Sequence, residues 1–161
     1  MSFVDKTVRL RAITIGFSKP INRFFPVFSW LIRWYEKTPY SHVFILYDEN
    51  KIIEATGAGV EKDKDLETWE KKSEIIIQKQ IEITEEAYQL ILNYKKVKHY
   101  GYFQIIGLVL AKLFKLNWNI FPNDKICSEL VAEVLELSGY SINKNKNLVT
   151  PKDIYEIIAI I

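Results

Sequence analysis

The strongest constraint on the fold is a pair of short apolar segments joined by three polar residues. Val43–Tyr47 and Ile52–Ala55 are rich in branched and aromatic side chains, and they flank Asp48-Glu49-Asn50. Short segments of this kind on either side of a polar connection are typical of a β-hairpin. We therefore expect antiparallel strands at 43–47 and 51–55.

Strands and helices follow one another along the rest of the chain. Period-two patterns predict further strands at 7–16 and 73–84, and a short strand that begins at the turn Gly57–Val60. Three- and four-residue spacings of apolar residues predict helices at about 20–35, 85–98, 102–116 and 124–138, with a last one starting at Thr150-Pro151. The charged segment Glu61–Lys72 is interpreted as a solvated loop with a short helix. Because the strands have short links, the sheet should be mostly antiparallel.

Length and composition favour one folded domain. The chain has 161 residues, of which 48% are hydrophobic and 26% charged, so it can bury a core and is not disordered. No repeat or flexible linker divides it. We expect a single α+β domain over residues 1–161.

Charge and hydropathy exclude several classes of protein. The net charge of +2 is far from that of a dedicated nucleic-acid binder. The longest apolar run, at 105–114, is interrupted by Lys112 and is shorter than the roughly 20 residues of a membrane span. Met1–Lys6 does not resemble a signal peptide, so we expect a cytoplasmic protein. The oligomeric state is left open.

The single cysteine is a candidate nucleophile. Asn123 or Asp124 is a suitable N-cap and would place Cys127 in the first turn of a helix. The dipole at a helix N-terminus favours a negatively charged thiolate. The alternative is a buried structural cysteine, since Cys127 shares a helix face with Val131 and Val134.

A cysteine nucleophile needs a base, and His42 is the better of two candidates. It begins a predicted strand with Phe44 and Leu46 on the same face, so its ring should point to the core, where the Cys127 helix must also pack. His99 follows a lysine-rich helix end and is interpreted as a solvated residue. A lone inward histidine can also be an ordinary core residue.

The register of the hairpin decides whether Glu54 can orient His42. A three-residue loop pairs Tyr47 with Lys51, Phe44 with Glu54 and His42 with Thr56, which puts Glu54 on the face of His42. A two-residue loop would put the carboxylate on the opposite face. We expect a loop with an odd number of residues.

Three short motifs, together with the order in which they occur, resemble a known family. They are Tyr40-Ser41-His42-Val43-Phe44-Ile45, then Ile53-Glu54-Ala55 with Gly59-Val60, and then Cys127-Ser128-Glu129-Leu130-Val131 followed by Thr150-Pro151-Lys152-Asp153-Ile154. The chain resembles the circularly permuted NlpC-type branch of the papain-like cysteine hydrolases, and is similar to the lecithin:retinol acyltransferase-like enzymes. In both groups the histidine and the third polar residue precede the cysteine.

The resemblance implies a permuted papain-like fold, in which a small sheet packs against helices that include the Cys127 helix. It implies a cysteine hydrolase with a catalytic triad of Cys127, His42 and Glu54, acting as an amidase or thiol protease through a thioester, without a metal or cofactor. Tyr40 would line the substrate pocket, although packing explains it equally well. Tyr100 and Tyr102 match an aromatic position of this group.

Other functions remain open at this level. The acyl substrate could be a small molecule, a cell-wall peptide, a protein amide or a lipid ester. A membrane-surface lipid hydrolase or acyltransferase is suggested by the aromatic residues of segment 24–34, and a binding module without catalysis could share the scaffold. The composition, rich in Ile and Lys, is compatible with a bacterial or phage origin.

Overall fold

The computed structural model describes residues 9–21, 26–56, 59–95, 127–145 and 148–160, with side chains from residue 29 onward in the second range. It contains a five-stranded antiparallel sheet packed with helices. The predicted α+β class and the antiparallel sheet are confirmed. In the described ranges, no helix is both long and apolar enough to cross a membrane.

The strands are β1 (Leu10–Pro20), β2 (His42–Asp48), β3 (Lys51–Thr56), β4 (Gly59–Asp65) and β5 (Ser73–Thr84). The helices are α1 (Pro26–Glu36), α2 (Leu66–Glu70), α3 (Glu85–Asn93), α4 (Cys127–Leu137) and α5 (Pro151–Ala159). The strand order in the sheet is β4-β3-β2-β1-β5, so β2 and β3 lie inside it.

Several predicted boundaries were wrong. Pro20 ends β1 rather than starting a helix, because β1 keeps pairing with β5 as far as Ser73, and a strand end tolerates the missing proline N–H. The short helix expected in the charged segment is confirmed as α2, but the part expected to be a loop continues the strand β4 as far as Asp65. Helix α3, predicted over 85–98, ends at Asn93. The helix predicted at 102–116, together with His99, Tyr100 and Tyr102, lies outside the described residues.

The β2–β3 hairpin has the predicted register but a different turn. Its two turn residues are Glu49 and Asn50, so the expected odd loop was wrong. Asp48 pairs with Lys51, whereas Leu46 pairs with Ile52, and the extra residue forms a β-bulge. Beyond the bulge the pairing is the one that a three-residue loop would give, since Ile45 lies opposite Ile53. Continued along the strands, it places Phe44 opposite Glu54.

The two faces of the sheet carry different clusters. Helix α4 packs Leu130, Val131 and other apolar residues against Val43 and Ile45 in the main core. Phe44 belongs to a smaller cluster with Ile52 and Trp69. The expectation that Phe44 and Leu46 face the Cys127 helix was therefore wrong, because the odd-numbered residues of β2 face it.

Contacts between chain segments fix the start of α4. The Ser128 hydroxyl is buried and donates to the backbone carbonyl of Val149. The next residue, Thr150, caps α5 through a reciprocal capping box with Asp153. After the far end of α4, Gly139 has a φ of 85°, the left-handed conformation that commonly ends a helix. The motif at Thr150-Pro151 thus supports the N-terminal turn of α4.

Candidate functional site

His42 and Glu54 meet on the same face of the hairpin. The His42 Nε2 lies 2.6 Å from the Glu54 Oε2, as their shared face predicts. Glu54 is only 3% exposed. Since a carboxylate can only accept a hydrogen bond, Nε2 must carry the proton. Glu54 therefore fixes both the orientation of the imidazole and its tautomer.

Cys127 lies at the start of the described part of α4, close enough to His42 for the thiol to raise the pKa of the imidazole through its charge and hydrogen bonding. Because Nε2 is engaged by Glu54, the ring nitrogen left for the sulfur is Nδ1. The two residues lie close together although β2 turns its odd-numbered side chains to α4; His42 is the first residue of β2. The structure thus brings Cys127, His42 and Glu54 together as a series of three neighbouring side chains, with His42 in the middle.

The electrostatics of the series favour a charged imidazole. Burial lowers the pKa of His42, but the charge and hydrogen bond of Cys127, followed by those of Glu54, outweigh it and raise this pKa to about 10. Burial likewise raises the pKa of Glu54, yet His42 and Lys64 together lower it to about 2. Near neutral pH, the site contains a carboxylate and an imidazolium that can stabilise a thiolate.

A fourth residue contacts the series from β4. The Lys64 Nζ lies 2.6 Å from the Glu54 Oε1, the carboxylate oxygen that His42 does not use. Lys64 also forms an ion pair with Glu61. The sequence-based interpretation missed Lys64 because it assigned 61–72 to a solvated loop. Alternation of charge from Glu61 to Asp65 is the signal that could have indicated a strand beside β3.

Tyr40 lies in the main core. It is 2% exposed, and its ring packs against Phe17 and Tyr155 at centroid distances of 4.9 and 6.0 Å. Burial and the nearby Glu36 raise the pKa of Tyr40 to about 12, so its phenol is neutral under ordinary conditions. These contacts describe a packing role, and substrate binding by Tyr40 stays a prediction.

Within the ranges that the structure covers, no three His, Cys, Asp or Glu side chains are grouped so that they could hold a metal ion. Comparisons with known proteins gave no match: no family model fits the chain, and neither the curated proteins nor the solved structures contain a significant relative.

Proposed function

We propose that the chain is a cysteine-dependent hydrolase with a permuted papain-like fold that cleaves an amide or ester bond. The observation that carries the proposal is the position of His42 between two partners: its Nε2 is hydrogen-bonded to the buried Glu54, and Cys127 lies close enough to raise the pKa of the imidazole. A nucleophile, a base and a group that orients the base are the parts that such chemistry requires.

The proposed reaction has two stages. The Cys127 thiolate attacks the carbonyl carbon, and the imidazolium of His42 gives its proton to the leaving amine or alcohol as the thioester forms. His42 then takes a proton from water, whose oxygen attacks the thioester carbonyl; the C–S bond breaks, and the acid leaves while the Cys127 thiolate and the His42 imidazolium are restored. The backbone N–H of Cys127, in the first turn of α4, is a suitable donor to the developing oxyanion.

The test is acylation of the protein by a reactive ester probe, followed by mass spectrometry of the labelled peptide. We expect one label, on Cys127, and turnover of a matching activated ester. Cys127→Ala should abolish labelling and should lower turnover by roughly 10³-fold or more. Its melting curve should be unchanged. Retention of full hydrolytic activity by that variant would exclude the mechanism.

The same probe separates catalysis from binding alone. A non-catalytic module on this scaffold would hold a peptide or lipid without forming a thioester, so it would give no covalent adduct at neutral pH. In that case Cys127→Ala would bind the ligand as well as the wild type does.

Helix α1 favours a lipid substrate as the second candidate. Trp30 and Trp34 are 55% and 61% exposed, and their rings stack at 6.1 Å. Arg33 and Lys37 add positive charge to this helix end. Aromatic rings beside cations suit the surface of an anionic bilayer. Sedimentation with phosphatidylserine vesicles that is lost in Trp30→Ser/Trp34→Ser would support an acyl hydrolase or acyltransferase acting on lipids, and the absence of wild-type binding would exclude it.

A further inference from the structure

We propose that Lys64 is a positioning residue of this site, which holds the carboxylate of Glu54 toward His42. Together with Glu61, Lys64 also sets the net charge beside that carboxylate. The inference rests on the proposed function, because it concerns how the base is oriented. It extends the series of three side chains to five: Cys127, His42, Glu54, Lys64 and Glu61.

The first support is the complementary use of the two Glu54 oxygens. Oε2 binds His42 and Oε1 binds Lys64, each at 2.6 Å. A buried carboxylate with a donor on each oxygen cannot rotate without breaking one of two charge-assisted hydrogen bonds. Lys64 is itself only one-third exposed, so water does not fully screen this contact.

The second support is the backbone conformation of β4, which places Lys64 beside Glu54. In β4, Lys64 lies opposite Ile52, but Glu61 lies opposite Glu54, so the register shifts by one residue between these pairs. Without the shift, residues three apart on a strand would face opposite sides of the sheet. The bulge puts Glu61 and Lys64 on the face of Glu54, and such bulges commonly redirect side chains near functional sites.

A residue with a strained backbone conformation lies in this bulge. Asp63 has a φ of 61°, a left-handed conformation that few residues other than glycine adopt. Its carboxylate accepts a hydrogen bond from the Tyr47 hydroxyl across the sheet. The local conformation that brings Lys64 to Glu54 is therefore held by a specific contact from β2.

The charges predict opposite effects for the two outer residues. Lys64 is a cation beside Glu54, so its removal should favour the imidazolium and disfavour the thiolate. Glu61 is an anion beside Lys64, and its removal should do the reverse. Among the described residues, the charged or titratable groups that face Glu54 are His42 from β2 and Lys64 and Glu61 from β4.

The experiment measures iodoacetamide alkylation of Cys127 between pH 4 and 11, which needs no knowledge of the substrate. We expect Lys64→Met to slow the reaction about tenfold. The acid limb and the alkaline limb of the pH–rate profile should both move to higher pH, by roughly half a pH unit. Glu61→Gln should move both limbs downward by a smaller amount. Lys64→Arg should retain the wild-type limbs, because it keeps the charge.

Lys144→Met is the matched control. Lys144 also pairs with a buried carboxylate, that of Asp153, which belongs to the capping box of α5. This variant loses the same charge and the same kind of ion pair, and its alkylation profile should match that of the wild type. Melting curves identify any variant that fails to fold, and Glu61→Gln tests the charge argument without unpairing Glu54.

Unmoved limbs in both Lys64→Met and Glu61→Gln would overturn the role of Lys64, as would an equal shift in Lys144→Met. A wild-type protein whose Cys127 reacts no faster than an ordinary thiol at neutral pH would remove the proposed function itself. Rapid wild-type alkylation with unmoved limbs would remove only the proposal for Lys64.

Discussion

Two buried carboxylates in this molecule have similar surroundings but different partners. Glu54 and Asp153 are 3% and 9% exposed, and each is paired with a lysine. The second oxygen of Asp153 accepts from the backbone N–H of Thr150, whereas that of Glu54 contacts His42. An ion pair with lysine therefore does not identify a functional carboxylate. The difference lies in whether the other oxygen holds a fixed amide or a side chain that can exchange a proton.

The largest effect that tests this comparison should follow from removing His42. His42→Gln leaves Cys127 without its cationic partner, so iodoacetamide alkylation at pH 6.5 should fall by roughly 100-fold. Asp153→Asn should leave the rate unchanged. A His42→Gln protein that reacts as fast as the wild type would show that the helix N-terminus alone activates the thiol.

Glu54→Gln should have a smaller effect on the same reaction. The amide can still accept a hydrogen bond from His42 but no longer stabilises the imidazolium, so alkylation and turnover should each fall about tenfold. The alkaline limb of the rate should move to lower pH, because the pKa of His42 falls when its anionic partner is removed. If the alkaline limb stays in place, the charge of Glu54 does not act on His42, and the Glu54 side chain only packs against the imidazole.

Asp153→Asn should affect stability rather than reactivity. Loss of a charged capping partner and of the ion pair with Lys144 should lower the free energy of unfolding by about 1 kcal/mol. Urea denaturation measures this change, and alkylation of Cys127 by the same sample provides the control. A shifted pH profile in this variant would contradict the division between the two carboxylates.

The smallest effect should be the pH dependence of stability. The pKa of His42 is raised from about 6.5 to about 10 in the folded protein, so its contribution is fully present below pH 6.5 and is lost as the pH rises through 10. The difference in unfolding free energy between wild type and His42→Gln should shrink by on the order of 1 kcal/mol between pH 6 and pH 10. A constant difference would mean that the imidazole is not paired in the native state.

The sequence allowed much of the fold and the central part of the site to be predicted. The apolar segments Val43–Tyr47 and Ile52–Ala55 on either side of a polar connection indicated the hairpin, and the choice of register put His42 and Glu54 on one face. The bulge between Leu46 and Asp48 could not be inferred, since it depends on how two strands pair rather than on local preference. Lys64 was missed for a related reason, because a second bulge and tertiary pairing turn a charged segment into a strand.

The bulge in the β2–β3 hairpin has a consequence for how the gene can change. The extra residue between Leu46 and Asp48 is absorbed by the bulge, so its loss would leave Leu46 opposite Ile52 and Glu54 on the side of His42. A codon gained or lost elsewhere in the hairpin, which no bulge absorbs, would turn the whole of β3 over and move the carboxylate away from the imidazole. This hairpin should therefore tolerate the loss of its bulge residue, and otherwise change length in steps of two residues.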